Sequence, residues 1–120
     1  MKINKLFNIL NILKASKYAI QGLWRGVTIE RAITQETILC IMLFIISWQI
    51  ATNKIELILL NIPLFILLIT EYINTAIEKT VDRISLEKNI LSGYIKDLAS
   101  AAVLLSILLL IFVWSIILLL

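Results

Sequence analysis

Glu71-Tyr-Ile-Asn74-Thr-Ala-Ile-Glu78-Lys-Thr-Val-Asp82 follows directly on an apolar run, Leu57 to Ile69, interrupted only by Asn61 and Pro63. If one helix runs through both, each residue advances by about 100°. Relative to Glu71, Asn74 then lies at about −60°, Glu78 at about −20° and Asp82 at about +20°. Three carboxylates and an amide share one face within an arc of roughly 80°. Ile73, Ile77 and Ile84 fall on the opposite face. Acids at the end of a membrane-type helix are costly unless they face protein, water or a metal. The stretch therefore predicts a membrane helix and, at its end, a site for a cation or a polar substrate.

Composition points the same way. The 120 residues are 61% hydrophobic and 16% charged, with mean hydropathy +1.01, whereas soluble domains carry about 25% charged residues. The expected class is a single all-α integral membrane domain over residues 1–120. With no His, histidine ligands and histidine bases are excluded. The single Cys40 sits in the apolar run Ile38–Ile46, which rules out an intrachain disulfide and reads as a small buried hydrophobe. Gly22, Gly26 and Gly93 fit neither the P-loop nor the dinucleotide-binding pattern. No nucleic-acid partner is expected.

Working outward, the central helix is expected over about 55–83, entered through the turn Thr52-Asn53-Lys54. The apolar run before it, 37–51, is too short to cross about 30 Å of hydrocarbon. The first span must borrow preceding polar residues and extend over about 30–51. Trp48 marks its far interface. Residues 1–28 read as a surface helix region: Ile3, Leu6, Phe7, Leu10 and Leu13 fall within about 120°, with Lys2, Lys5, Asn8 and Asn11 outside that arc. No clean cleavage site follows, so a signal peptide is disfavoured. Gly22 and Gly26 form a G-x-x-x-G pair outside any apolar 20-mer, a weak signal. Trp24 beside Arg25 suits the headgroup layer. Residues 83–97 read as a polar loop re-entering a helix at Lys96-Asp97, and the last span covers about 96–120. Ala99, Ser100, Ala101 and Ala102 would let neighbouring helices approach closely. Six Lys/Arg lie in residues 1–36, one in 52–56 and four in 79–96. The positive-inside rule thus puts the N-terminus and the 83–97 loop in the cytoplasm.

Acids at a cytoplasmic membrane surface, with Lys96 nearby, suit a divalent cation bound to nucleotide phosphates. Mg²⁺ commonly takes one or two protein carboxylates plus phosphate and water; Glu78 and Glu30 are the candidates. Lys96 would act as a point charge on phosphate oxygens. Glu71 lies at the depth of a lipid headgroup hydroxyl and suits a general base. Two other readings compete. The polar residues could be glue between helices, with Glu78–Arg83 or Asp82–Lys79 as simple ion pairs. Cation-coupled transport is the second, but none of the three apolar runs carries the mid-span acid it needs. Trp48 and Trp114 read as interface or lipid-contact anchors under any of these.

The stretch from Glu71 to Arg83, followed by Leu91-Ser-Gly-Tyr-Ile-Lys96-Asp97-Leu-Ala-Ser100-Ala-Ala-Val103, resembles the small integral-membrane diacylglycerol kinases of bacteria. Their pattern reads E-x-x-N-[ST]-A-I-E-x-x-V-D-R and then L-S-G-x-x-K-D-x-x-S-A-A-V. Glu30-Arg-Ala-Ile-Thr-Gln35-Glu36 is similar to the family's E-A-A-F-R-Q-E. The resemblance implies a homotrimer in the bacterial inner membrane, with three transmembrane helices and a surface helix per chain. It implies Mg²⁺-dependent transfer from ATP to the free hydroxyl of diacylglycerol, giving phosphatidic acid. By the same resemblance Glu71 is the base, supported by Asn74 and Asp82, and Glu30 and Glu78 hold the metal and meet ATP. Glu87, Lys96 and Asp97 also contact ATP, with Asn11, Tyr18, Lys88 and Asn89 at its periphery. Trp24, Gln35, Glu36, Ser100 and Trp114 belong to the lipid side with Glu71. Asn11 stands where family members carry Arg, Ala19 where they carry Ser, and Lys88-Asn89 where they carry Tyr-His. Undecaprenol kinases of the same fold are the alternative, and they too read E-x-I-N-T-A-I-E. Arg83, Leu91-Ser-Gly93, Ser100 and Gln35-Glu36 favour diacylglycerol. A non-enzymatic membrane subunit is the remaining alternative.

Overall fold

The computed structural model describes residues 8–120, so the part of the surface-helix expectation that rests on Ile3, Leu6 and Phe7 lies outside the described residues. Four helices follow in order: α1 (Ile9–Ile29), α2 (Arg31–Ile50), α3 (Lys54–Ile84) and α4 (Ile90–Leu119). The last three are long and apolar enough to cross a membrane. The described residues form no strand.

Each helix boundary has a local cause. Asn8 begins α1, its Oδ1 accepting from Leu10 N at 3.0 Å, which satisfies one of the free donors of the first turn. Glu30 breaks the chain with extended dihedrals (φ −91°, ψ 113°) between α1 and α2. The Thr34 hydroxyl fastens that corner, donating to Val27 O at 2.6 Å, with Glu30 O also in reach at 3.0 Å. Asn53 caps α3 by accepting from Glu56 N at 2.9 Å, and Glu56 in turn accepts from Thr52 N and Oγ1. These two reciprocal contacts close the turn between α2 and α3.

One expectation is corrected here. The polar loop does not extend to residue 97; it ends at Asn89, and α4 starts at Ile90. The reason is a cap: Asn89 Oδ1 accepts from Leu91 N at 2.8 Å and from Ser92 N at 3.4 Å. Lys96 and Asp97 thus stand in the second turn of a formed helix.

α3 is the central element, packed most extensively on α4 and next on α2. Leu60, Leu64 and Leu67 are fully buried along one stripe and join Cys40, Val103, Leu110 and Trp114 in the core. Helical spacing carries the same stripe on through Glu71, Asn74 and Glu78. The core face of α3 therefore changes from leucine to carboxylate and amide partway along its length. On α4, Ala99, Val103 and Ser106 form the buried face, while Ser100, Ala101 and Ala102 are exposed.

Trp114 is only 8% exposed and donates from Nε1 to Leu60 O at 2.9 Å, within the α3 turn that Pro63 loosens by lacking an N–H. It ties α4 to α3. Trp48, at 63% exposure, fits the interfacial anchor.

Candidate active site

Glu71 is 5% exposed and Asn74 is 7% exposed. Burial of this kind is costly for polar groups unless neighbours compensate. Asn74 Nδ2 donates to Glu78 Oε1 at 3.3 Å, and its carboxamide also lies against Glu71. From α2, the half-buried Glu36 turns its carboxyl to Glu71. Two oxygens in this cluster, Asn74 Oδ1 and Glu36 Oε2, are buried without a partner. A buried acceptor with no donor is uncommon in a relaxed structure, and here the acceptors gather around one carboxylate.

Glu30 joins from the α1–α2 corner. It is the N-cap residue of α2, yet its side chain makes no cap bond. It pairs instead with Lys79 Nζ at 3.0 Å, on the turn of α3 that carries Glu78. Asp82 pairs with Lys96 Nζ at 2.6 Å. The expected local pairs, Glu78–Arg83 and Asp82–Lys79, are not the ones formed. Both salt bridges instead tie α3 to another segment, one to the corner before α2 and one to α4.

Beside Asp82 and Lys96, the loop after α3 opens an exposed pocket of about 460 Å³, lined in part by Ser85, Glu87, Lys88 and Asn89. Asp97 and Ser100 are exposed on the next turns of α4. The chain thus brings Glu36, Glu71, Asn74 and Glu78 into one group and Asp82, Glu87, Lys88, Asn89 and Lys96 into a second. It leaves Asn11 and Tyr18 exposed on the outer part of α1, about 22 Å and 12 Å of helix rise before Gly26. Trp114 is remote: its partner Leu60 precedes Glu71 by about 16 Å along α3.

An apolar groove of about 780 Å³ lies between α1, α2 and α3, lined among others by Leu23, Trp24, Phe65, Ile69 and Tyr72; Glu71 is not part of its lining. Gln35 is exposed. Tyr72 is the residue that sequence reasoning missed. Its hydroxyl donates to Leu23 O at 2.8 Å, and its ring lies so close to Gly26 that a Cβ there would be built into it. This contact docks the end of α1 onto α3. The G-x-x-x-G pair held half of that signal, because Gly26 is needed for the approach while Gly22 faces open space.

The cluster suits a hard cation. Glu78 offers a carboxylate and Asn74 Oδ1 an unpartnered oxygen beside it. No group of three or more potential ligating side chains is found among the described residues. A Mg²⁺ ion that draws most of its shell from phosphate and water needs fewer than that.

Comparison of the sequence with known proteins matches the chain to a family. The prokaryotic diacylglycerol kinase family model covers residues 17–118. A diacylglycerol kinase of Escherichia coli K12 is 35% identical over 115 residues, which is 96% of this chain and 94% of that protein. That of Haemophilus influenzae is 32% identical over 92% of this chain and 94% of its own length. That of Pseudomonas aeruginosa is 34% identical over 90% of this chain and 88% of its own length. The matched region takes in α2, α3 and nearly all of α4, together with both polar groups, and the chain belongs to the prokaryotic diacylglycerol kinase family, kinases with an alcohol acceptor.

Proposed function

We propose that this chain transfers the γ-phosphoryl group of ATP to the free hydroxyl of diacylglycerol, releasing phosphatidic acid at the cytoplasmic face of the bacterial inner membrane. The whole chain, residues 1–120, acts as one unit with its N-terminus cytoplasmic, in a homotrimer. The observation that carries the reading is Glu71: a buried carboxylate on the core stripe of a membrane helix, flanked by Asn74 and Glu78, with an apolar groove on the adjoining face of the same turn at Tyr72.

The groove supplies the lipid side. Acyl chains lying against Trp24, Phe65, Ile69 and Tyr72 would hold the glycerol hydroxyl at the depth of Glu71. Glu71 takes the hydroxyl proton as the oxygen forms its bond to the γ-phosphorus, and the bond to the bridging oxygen breaks to release ADP. Glu78 and Glu30 would hold Mg²⁺, whose charge neutralises phosphate oxygens. Lys96 adds a further positive charge, held by Asp82 at 2.6 Å, and Glu87, Lys88, Asn89 and Asp97 frame the nucleotide around the open pocket. Asn11 and Tyr18 would reach it only across the boundary between chains. Such a site works by positioning and charge neutralisation, which is most of what phosphoryl transfer requires.

Undecaprenol is the alternative acceptor, because the Glu71-Tyr-Ile-Asn-Thr-Ala-Ile-Glu78 motif fits the kinases of either alcohol. The deciding experiment is a detergent-micelle assay with Mg-ATP, offering diacylglycerol and undecaprenol side by side. Phosphatidic acid as the dominant product is the expected result. Faster phosphorylation of undecaprenol would transfer the reading to that alcohol, and phosphorylation of neither would end it.

A further inference from the structure

Glu36 is a half-buried carboxyl that the mechanism above does not use. Its Oε2 is buried and has no hydrogen-bond partner, an expensive state for a carboxyl in an apolar bundle. The packing of α2 on α3 explains what it faces. The two helices run antiparallel, and three contacts fix their register. Glu30 meets Lys79 at one end, Cys40 Sγ meets Leu64 O in the middle, and Ser47 meets Asn61 at the other end. Glu36, one turn before Cys40, falls opposite the turn of α3 that holds Glu71, and the two carboxyl groups face each other across the helix pair. Carboxyl groups so placed hydrogen-bond through a hydrogen carried by one of them. Asn74 approaches Glu71 from within α3. Glu71 is therefore held from two sides, by its own helix and by the neighbouring one.

We propose that Glu36 is a positioning residue for Glu71. Its carboxyl fixes the orientation of the base from α2. This differs from a lipid contact, the role that the resemblance implied for Glu36, and it rests on the reading of Glu71 as the base. The corner at Glu30 and the register contacts set where Glu36 stands, so the arrangement belongs to this pair of helices and not to one flexible side chain.

The kinetic test compares Glu36→Ala with Glu36→Gln. Loss of the carboxyl in Glu36→Ala is expected to lower kcat by about 30- to 100-fold, the scale of a misplaced reacting group, with KM for diacylglycerol within about twofold of wild type. Glu36→Gln keeps a donor for the Glu71 carboxylate and should retain kcat within about threefold. A raised KM with kcat intact, or a Gln variant as slow as the Ala variant, would overturn the proposal. Thermal unfolding in detergent tests the contact without reference to catalysis. The loss of Tm in the double variant Glu36→Ala/Glu71→Ala should be smaller than the two single losses added together, because the pair is removed only once. Additive losses would overturn the pairing. If the wild type phosphorylates neither lipid, the kinase reading fails by itself, and the unfolding cycle still decides whether Glu36 holds Glu71.

Discussion

The two ends of the α2–α3 contact bury polar groups by different rules. At the Pro63 end, Asn61 Nδ2 donates to Ser47 Oγ at 3.0 Å and to Leu57 O at 2.8 Å, and Trp114 Nε1 closes on Leu60 O. These are neutral groups bonded across helices, with only Asn61 Oδ1 left over. At the Glu71 end the groups are carboxylates crowded together, and the two cations nearby, Lys79 and Lys96, sit at the rim on Glu30 and Asp82. The first arrangement bonds each of its donors to a neutral acceptor within the bundle. The second crowds acidic groups with no cation at their centre among the described residues, an arrangement that suits a site whose counter-charge arrives with the substrate. A fold that needed only helix glue would use the Asn61 pattern at both ends.

Substitutions on either side of this divide should separate activity from stability. Glu71→Gln keeps the shape and removes the base. Lipid phosphorylation is expected to fall by about 10²- to 10⁴-fold, with nucleotide and lipid binding kept, measured by turnover and by equilibrium binding. Full turnover would put the base elsewhere. At the other end Trp114→Ala should do the opposite. It opens a cavity and removes the bond to Leu60 O, for a loss of about 3 kcal/mol or more in unfolding free energy, while kcat in the remaining folded protein stays within about twofold. A collapse of kcat without loss of stability would mean that the two ends are not separable. Gly26→Ala lies between these cases, since its methyl group meets the Tyr72 ring. About 1–3 kcal/mol of overpacking should loosen α1 and widen the lipid groove, read as a raised KM for diacylglycerol that Tyr72→Leu restores.

How much of this was legible in the sequence follows from how local each signal is. Glu71, Asn74 and Glu78 share one helix, so turning at about 100° per residue placed them on one face without any tertiary knowledge. The three spans and the short first apolar run were legible from hydropathy, and α2 does begin in the polar residues before Thr37. The bond from Trp114 to Leu60 O was not legible, because it depends on which turn of α3 Pro63 loosens and on the α3–α4 register, neither of which is written near residue 114. The start of α4 was placed late because seven mixed residues, Ile90 to Lys96, dilute the apolar signal, and a single Asn89 side chain settles the matter. The partner of Lys79 depended on helix packing, so local spacing suggested Asp82 where Glu30 is the acid paired.

Lys79 gives the smallest and sharpest test of the contrast between the two ends. It is 65% exposed at the side chain and pairs with Glu30, which is 26% exposed, so the ion pair should contribute no more than about 1 kcal/mol. Lys79→Ala will therefore hardly move the unfolding curve. Its effect should appear in metal dependence. With the ammonium gone, Glu30 no longer has a cation to exchange for Mg²⁺, and the Mg²⁺ concentration needed for half-maximal activity should fall by about two- to threefold at low ionic strength, less in high salt. If Glu30 serves only as the partner of Lys79, the Mg²⁺ requirement will not change, and Glu30→Gln will be as mild as Lys79→Ala. If Glu30 is a metal ligand, Glu30→Gln will raise the Mg²⁺ requirement while Lys79→Ala lowers it. Opposite signs from the two halves of one salt bridge cannot come from lost stability, because breaking the pair from either side costs the fold the same contact.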